Sequence, residues 1–174
     1  MNGFAQKVAE RSGQNLNACY QCGKCSAGCP TVKWFEWQNH GVIRRIQLGD
    51  EEGLLGSCAI WMCIGCETCG TRCPNGIRIS RLMDAMRNMA LEKGIKAAEP
   101  AVMSFHQSFA NSVERFGRVH ELSMLVEFKL RTKDLFTDVG AGLKLFAKGK
   151  IPFWPGKVRE KGRLDGIFKE RARR

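Results

Sequence analysis

The sequence predicts an all-α chain. No segment sustains the period-two alternation of a half-buried strand, and no βαβ pattern is present. Apolar residues of the second half instead recur at spacings of three and four. At 174 residues the chain is comfortable for one domain, tight for two, and long enough to bury a core unaided.

Taken in order, residues 4–11 predict a short amphipathic helix leading to a first group of cysteines, Cys19 to Cys29. A stretch of large apolar residues follows: Val32, Trp34, Phe35 and Trp37, then Val42, Ile43, Ile46 and Leu48 at roughly helical spacing. Asp50 to Glu52 with Gly53 marks a break and a new short helix through Leu54 and Leu55. A second cysteine group, Cys63 to Cys73, ends in the turn Pro74-Asn75-Gly76. Ile79, Leu82, Met83, Met86 and Ala90 form one helix face that stops near Gly94. Pro100 suits the first position of the next helix, whose face is Val102, Phe105, Phe109, Val113 and Phe116. That face is expected to be core, because a helix stripe must be buried somewhere. Leu122, Leu125, Val126 and Leu130 mark a further helix, and Leu135, Val139, Leu143 and Phe146 another. IPFWPGK, with two prolines, reads as irregular, and the residues from 165 on as a basic helical end. The expected organisation is a helical domain over 1–98, further helices over 99–150 packed on it, and a basic docking tail over 151–174.

The net charge is +11, and its placement is uneven. Residues 141–174 carry 11 Lys/Arg against 3 Asp/Glu, a net of +8, while residues 1–140 carry +3. Such a tail suits an acidic partner or a membrane surface. Its few, poorly interleaved aromatics argue against nucleic acid. No transmembrane segment is expected, since the longest charge-free apolar stretch near the cysteines, from Gly53 to Cys66, is short and holds three glycines. Membrane contact is left to a partner or a surface patch. The opening MNGFAQKVAERSG has no apolar core and no cleavage site of a signal peptide, so a cytoplasmic, reducing compartment is expected. There, clustered cysteines mean metal or redox chemistry rather than disulfides.

Eight of the nine cysteines form two copies of one run. The first is Cys19-Tyr-Gln-Cys22-Gly-Lys-Cys25-Ser-Ala-Gly-Cys29-Pro30; the second is Cys63-Ile-Gly-Cys66-Glu-Thr-Cys69-Gly-Thr-Arg-Cys73-Pro74. Both read C-x2-C-x2-C-x3-C-P, the run of bacterial proteins that hold two [4Fe–4S] clusters. Three thiolates at two-residue gaps wrap a tight loop round one cubane, and Gly23, Gly65 and Gly70 suit the positive φ such loops need. The fourth cysteine leaves its own loop and ligates the other cluster. The expected ligand sets are therefore crossed: Cys19, Cys22, Cys25 and Cys73 for one cluster, and Cys63, Cys66, Cys69 and Cys29 for the other. Zinc sites of four cysteines usually come as two C-x2-4-C pairs and fit this run poorly, leaving a zinc-stabilised nucleic-acid-binding module as a distant alternative. The ninth cysteine, Cys58, reads as a small buried hydrophobe, with a redox-active thiol as the sharper alternative. Lys24, Lys33, Arg72, Arg78 and Arg81 lie near the motifs and are candidates for tuning cluster potential, against plain solvated charge. Trp34, Trp37 and Trp61 read as solvent-excluding core, and His40, His106 and His120 as ordinary residues. There is no nucleotide-binding glycine loop, no adjacent Cys-Cys pair and no nucleophile–base constellation. With every iron taken by protein, no iron is left open for substrate.

On CYQCGKCSAGCP, VIRRIQLGDEEGLL and IWMCIGCETCGTRCPNGI, the chain resembles the C subunit of heterodisulfide reductase and its bacterial relatives. ERFGRVHEL and KGKIPFWPGK are also similar to members of that family, which extends the resemblance over nearly the whole chain. The 33 residues between Cys29 and Cys63 favour the α-helical ferredoxin type over the small βαββαβ ferredoxin. The resemblance implies a hetero-oligomer in which this chain relays electrons between two partners. One is the family's A subunit, which holds flavin (FAD) and iron–sulfur groups. The other is its catalytic B subunit, which has Cys-Cys-Gly motifs. The resemblance implies an oxidoreductase complex whose chemistry is done elsewhere than on this chain. The iron–sulfur subunit of a quinone-linked dehydrogenase or reductase is the alternative within the same class.

Overall fold

The computed structural model describes residues 3–134, 137, 139–150, 152–156, 158, 166 and 168. Among them there are ten α-helices and no strand, as the spacing predicts. The expected basic tail over 151–174, its helical end from 165 on included, lies largely outside the described residues, as does Leu135 of the last expected helix face. The chain divides into two units, Met1–Pro100 and Ala101–Arg174.

The first unit holds α1 (Gly3–Ser12), α2 (Lys24–Ala27), α3 (Asn39–Leu48), α4 (Glu51–Leu55), α5 (Ala59–Met62), α6 (Thr68–Arg72) and α7 (Ile79–Glu92). Short 3-10 turns at Leu16–Ala18 and Val32–Trp34 join them. Helix α7 is the centre. Its apolar stripe, Ile79, Leu82, Met83, Met86, Met89 and Ala90, is buried throughout, and the helix touches α1, α4, α5 and α6. Opposite it lie Phe4, Ala5 and Val8 of α1, which also packs on α3 through Val42, Ile43 and Ile46. Full burial of each large aliphatic side chain contributes about 1.5–3 kcal/mol. Leu48, placed with the α3 apolar set by spacing, is 67 % exposed, because α3 ends there. Asp50 caps α4 by accepting from the Gly53 N–H at 3.1 Å, the physical basis of the break expected at 50–53.

The second unit holds α8 (Pro100–Phe116), α9 (Glu121–Thr132) and α10 (Val139–Ala147). The expected core face of α8 is not core: Phe105 is 41 % and Phe109 45 % exposed. Instead α8 buries two small polar residues, Ser108 and Ser112. The Ser112 hydroxyl accepts from the His120 N–H at 2.8 Å, and the Phe116 ring meets His120 edge-on. Glu127 of α9 ties the two helices, accepting from Asn111 Nδ2 at 2.6 Å and pairing with Arg115 and Arg131. Desolvation would raise its pKa, but those partners outweigh it and hold the carboxyl below its ordinary range. Among the described residues no helix is long and apolar enough to cross a membrane.

Leu82→Ala removes a fully buried side chain from the middle of α7. It is expected to lower unfolding stability by about 2–5 kcal/mol, read from anaerobic denaturant titration. A change below about 0.5 kcal/mol, the range of surface substitutions, would show that α7 is not the core.

Candidate iron–sulfur centre

Both cysteine runs adopt the same local backbone. In the first, Gln21 (φ 55°) and Gly23 (φ 74°) are left-handed; in the second, Gly65 (φ 65°) and Glu67 (φ 62°) are. These are the same offsets within each motif: the residue before the second cysteine and the residue after it. The curl this imposes keeps three cysteines of each run on one concave side. Two of the four positions are not glycine, and each left-handed non-glycine residue costs about 1–2 kcal/mol. Their side chains recover part of that cost. Gln21 Nε2 donates to the His40 carbonyl at 3.0 Å and lies 3.4 Å from Cys19 Sγ. Glu67 accepts from Arg78 Nε at 3.0 Å and Ser80 Oγ at 2.6 Å, and these partners hold its carboxyl below the ordinary range. Gly70, expected at positive φ, is instead helical within α6. A Cβ there would stand 3.1 Å from Glu67 Oε2 and 3.2 Å from Arg78 Cγ, so its smallness serves close packing.

The third cysteine of each run sits in a one-turn helix, Cys25 in α2 and Cys69 in α6. These two helices pack on each other, and each delivers the fourth cysteine of its run to the far side. As a result Cys19, Cys22, Cys25 and Cys73 line one hollow. Cys29, Cys63, Cys66 and Cys69 line a second. The two share Ile79 as a wall. Amides hold the exchange in register. Asn75, in the turn after Cys73, donates to the Ala18 carbonyl beside the first run. Buried Asn39 donates to the Cys25 carbonyl at 3.0 Å while lining the second hollow.

All nine cysteines are free thiols. Burial pushes the Cys25, Cys63 and Cys69 thiols up, whereas the Thr68 hydroxyl and N–H pull Cys66 down. Metal loading must therefore release protons from these sites. Among the described residues no three His, Cys, Asp or Glu side chains converge tightly enough to share one metal ion. A cubane, whose four irons take one thiolate each, does not require that convergence. The donor set and the two hollows fit [4Fe–4S] clusters.

Several neighbours differ from expectation. Lys24, Lys33, Arg72 and Arg81 are exposed, and Arg78 is engaged with Glu67. Lys24 nevertheless lines the first hollow, and the part-buried cation beside the second run is Arg87, eight residues into α7, which donates to the carbonyls of Ile60 and Cys63. Nothing local marks it in the sequence, where it lies 24 residues past Cys63. His40, read as ordinary, lines the first hollow and bonds Ser26 Oγ through Nδ1 at 2.8 Å. Trp61 is core, but Trp34 is 51 % exposed under Lys33, and Trp37 stacks beneath Arg45. Cys58 is only part-buried. It precedes α5, where its N–H and that of Ala59 donate to Glu36 and its thiol reaches the Trp34 carbonyl at 3.0 Å. Burial and the Glu36 carboxylate push this thiol up to about 11, so it is a structural hydrogen-bond donor and a poor nucleophile.

At Gly23 a Cβ would meet no atom within 4 Å, so Gly23→Ala isolates the conformational cost of the left-handed loop. It is expected to cost about 1–2 kcal/mol and to speed iron loss to a chelator. Unchanged stability and iron retention would show that the loop does not need this geometry.

The family model described as "4Fe-4S dicluster domain" matches residues 18–78. The chain is 39 % identical over 83 residues to the iron–sulfur C subunit of the CoB–CoM heterodisulfide reductase of Methanopyrus kandleri, covering 48 % of this chain and 43 % of that protein. It is 33 % identical over 103 residues to the C subunit of the H(2):CoB-CoM heterodisulfide,ferredoxin reductase of Methanothermobacter thermautotrophicus, covering 59 % and 56 %. A protein of Archaeoglobus profundus described as like the heterodisulfide reductase C subunit is 33 % identical over 90 residues, covering 51 % and 48 %. The chain spans about half the length of the curated relatives it matches, and these matches cover less of it than the near-complete resemblance expected from the second half. Residues 18–78 thus carry a 4Fe–4S dicluster domain, and over the matched region the chain is a homologue of the iron–sulfur C subunit of heterodisulfide reductases.

Proposed function

We propose that this chain is an electron-transfer subunit holding two [4Fe–4S] clusters with crossed ligand sets. Cys19, Cys22, Cys25 and Cys73 hold one; Cys63, Cys66, Cys69 and Cys29 hold the other. The observation that carries the reading is the exchange of fourth cysteines between the two hollows. When bound, each cluster takes up and releases one electron at a potential set by its surroundings. The chain's own residues do the rest. The crossed cysteines keep the two sites adjacent, with Ile79 between them, so the gap an electron crosses is short. Buried Ile43, Ile77 and Ile79 line the hollows and keep water from their inner side, while Cys22 and Cys66 are exposed, which brings each site to the surface where a partner docks.

Each cubane has four cysteine ligands here and no iron is left for substrate, so substrate chemistry belongs to another protein of the complex. In line with the relatives' names, the chain serves a heterodisulfide-reductase-like complex; the family resemblance of the motifs adds that it relays electrons between a flavin-containing partner and a catalytic partner.

Anaerobically purified protein is expected to contain about eight iron and eight sulfide per chain, with coupled EPR signals of two reduced cubanes. Cys22→Ser and Cys73→Ser should disturb the same cluster signal, and Cys66→Ser and Cys29→Ser the other. Loss of the Cys22 signal together with the Cys29 signal would mean each run ligates its own cluster and would overturn the crossed assignment. Zinc without sulfide would overturn the function.

A further inference from the structure

We infer that the two sites are electrically unequal: the cluster held by Cys29, Cys63, Cys66 and Cys69 has the higher reduction potential, and Arg87 is the positioning residue that sets the difference. This rests on the two-cluster reading above.

A cubane with four thiolates is anionic and gains a further negative charge on reduction, so a nearby fixed cation favours the reduced form. Side-chain hydrogen bonds to sulfur do not separate the two sites. The first has Gln21 Nε2 at Cys19 and Ser26 at Cys25. The second has Thr68 Oγ1 3.4 Å from Cys66 Sγ and Thr31 Oγ1 3.6 Å from Cys29 Sγ. Both hydroxyls must donate once those sulfurs are thiolates.

What differs is charge. The Arg87 side chain is only 14 % exposed. Its Nε and Nη2 donate to the carbonyls of Ile60 and Cys63, which close α5 and open the second loop. Its counter-charge, Asp84, lies 2.8 Å from Nη1 but is 64 % exposed. Water screens the carboxylate while the guanidinium faces protein, so the pair leaves a net positive field on the cluster side. The N-terminus of α7 adds the same sign, since the N–H groups of Ile79 and Ser80 point at Cys69. Glu67 lines this hollow and opposes both, but Arg78 and Ser80 already engage its carboxylate. The first hollow is lined by Gln21, His40 and Asn75; Lys24, its one lining cation, is exposed, as is nearby Arg72. Electrons therefore run downhill from the Cys19 loop to the Cys63 loop, and the chain is a directional relay.

The test is an EPR-monitored redox titration of the anaerobically reconstituted full chain at one fixed pH. The single-cluster variants Cys22→Ser and Cys66→Ser assign each signal. Arg87→Met should lower the second cluster's midpoint enough to change electron partition between the sites about tenfold, ~59 mV for a one-electron couple, with the first cluster nearly unmoved. Arg87→Lys keeps the charge and should retain most of the wild-type value. If Arg87→Met fails to hold iron, Arg87→Gln, which keeps an amide donor for the carbonyls without the charge, decides: a lowered second midpoint supports the proposal and an unmoved one overturns it. A wild-type first cluster of equal or higher potential, or an Arg87→Met protein with full iron and unmoved midpoints, also overturns it. Failure of the underlying reading looks different, since it shows as missing iron or a single cubane signal in the wild type.

Discussion

Packing of α2 against α6 carries Cys29 to the second hollow and Cys73 to the first. The rest of the first unit is arranged around that exchange. Each run supplies three cysteines from a curled loop and then, through a single helical turn, sends its last cysteine across to the other. Neither hollow is complete without the other run, although 33 residues separate them. Those residues form α3, α4 and α5, whose apolar faces are buried in the same core. Closing so long a loop costs chain entropy, and burial against α1 and α7 offsets it.

Helix α7 links fold and site. One face is core; its first N–H groups point at Cys69, and Ile79 separates the two hollows. Two turns further on, Arg87 reaches back to the carbonyls at the start of the second loop. A single rigid element thus supports the core and carries charge to one site. The two loops are alike in backbone but not in surroundings: α7 meets the first hollow through Ile79, but meets the second through Ile79 and Ser80 and donates to its Cys63 carbonyl through Arg87.

The second unit follows a different pattern of burial. Its α8 hides serines and leaves Phe105 and Phe109 half-exposed, while Glu127 gathers Asn111, Arg115 and Arg131. A helix stripe read from spacing shows where apolar side chains line up, and it does not say what covers them. The same limit applies to Leu48 and Trp34.

The all-helical class, the order of the longer helices and the repeated cysteine run are legible in the chain alone, because they follow from local periodicity, caps and the short-range reach of a loop; the one-turn helices α2, α5 and α6 are too short to leave a periodic pattern. So are the α7 face and the break at Asp50, which depend on neighbours three or four residues away. Which other residues stand at the hollows is a matter of tertiary structure. Gln21 and Glu67 in left-handed conformation, Asn39 and Asn75 bridging the runs, His40 beside the first hollow and Arg87 beside the second carry no local signature. Their roles come from contacts between segments tens of residues apart, and such contacts exist only once the chain has closed around its core.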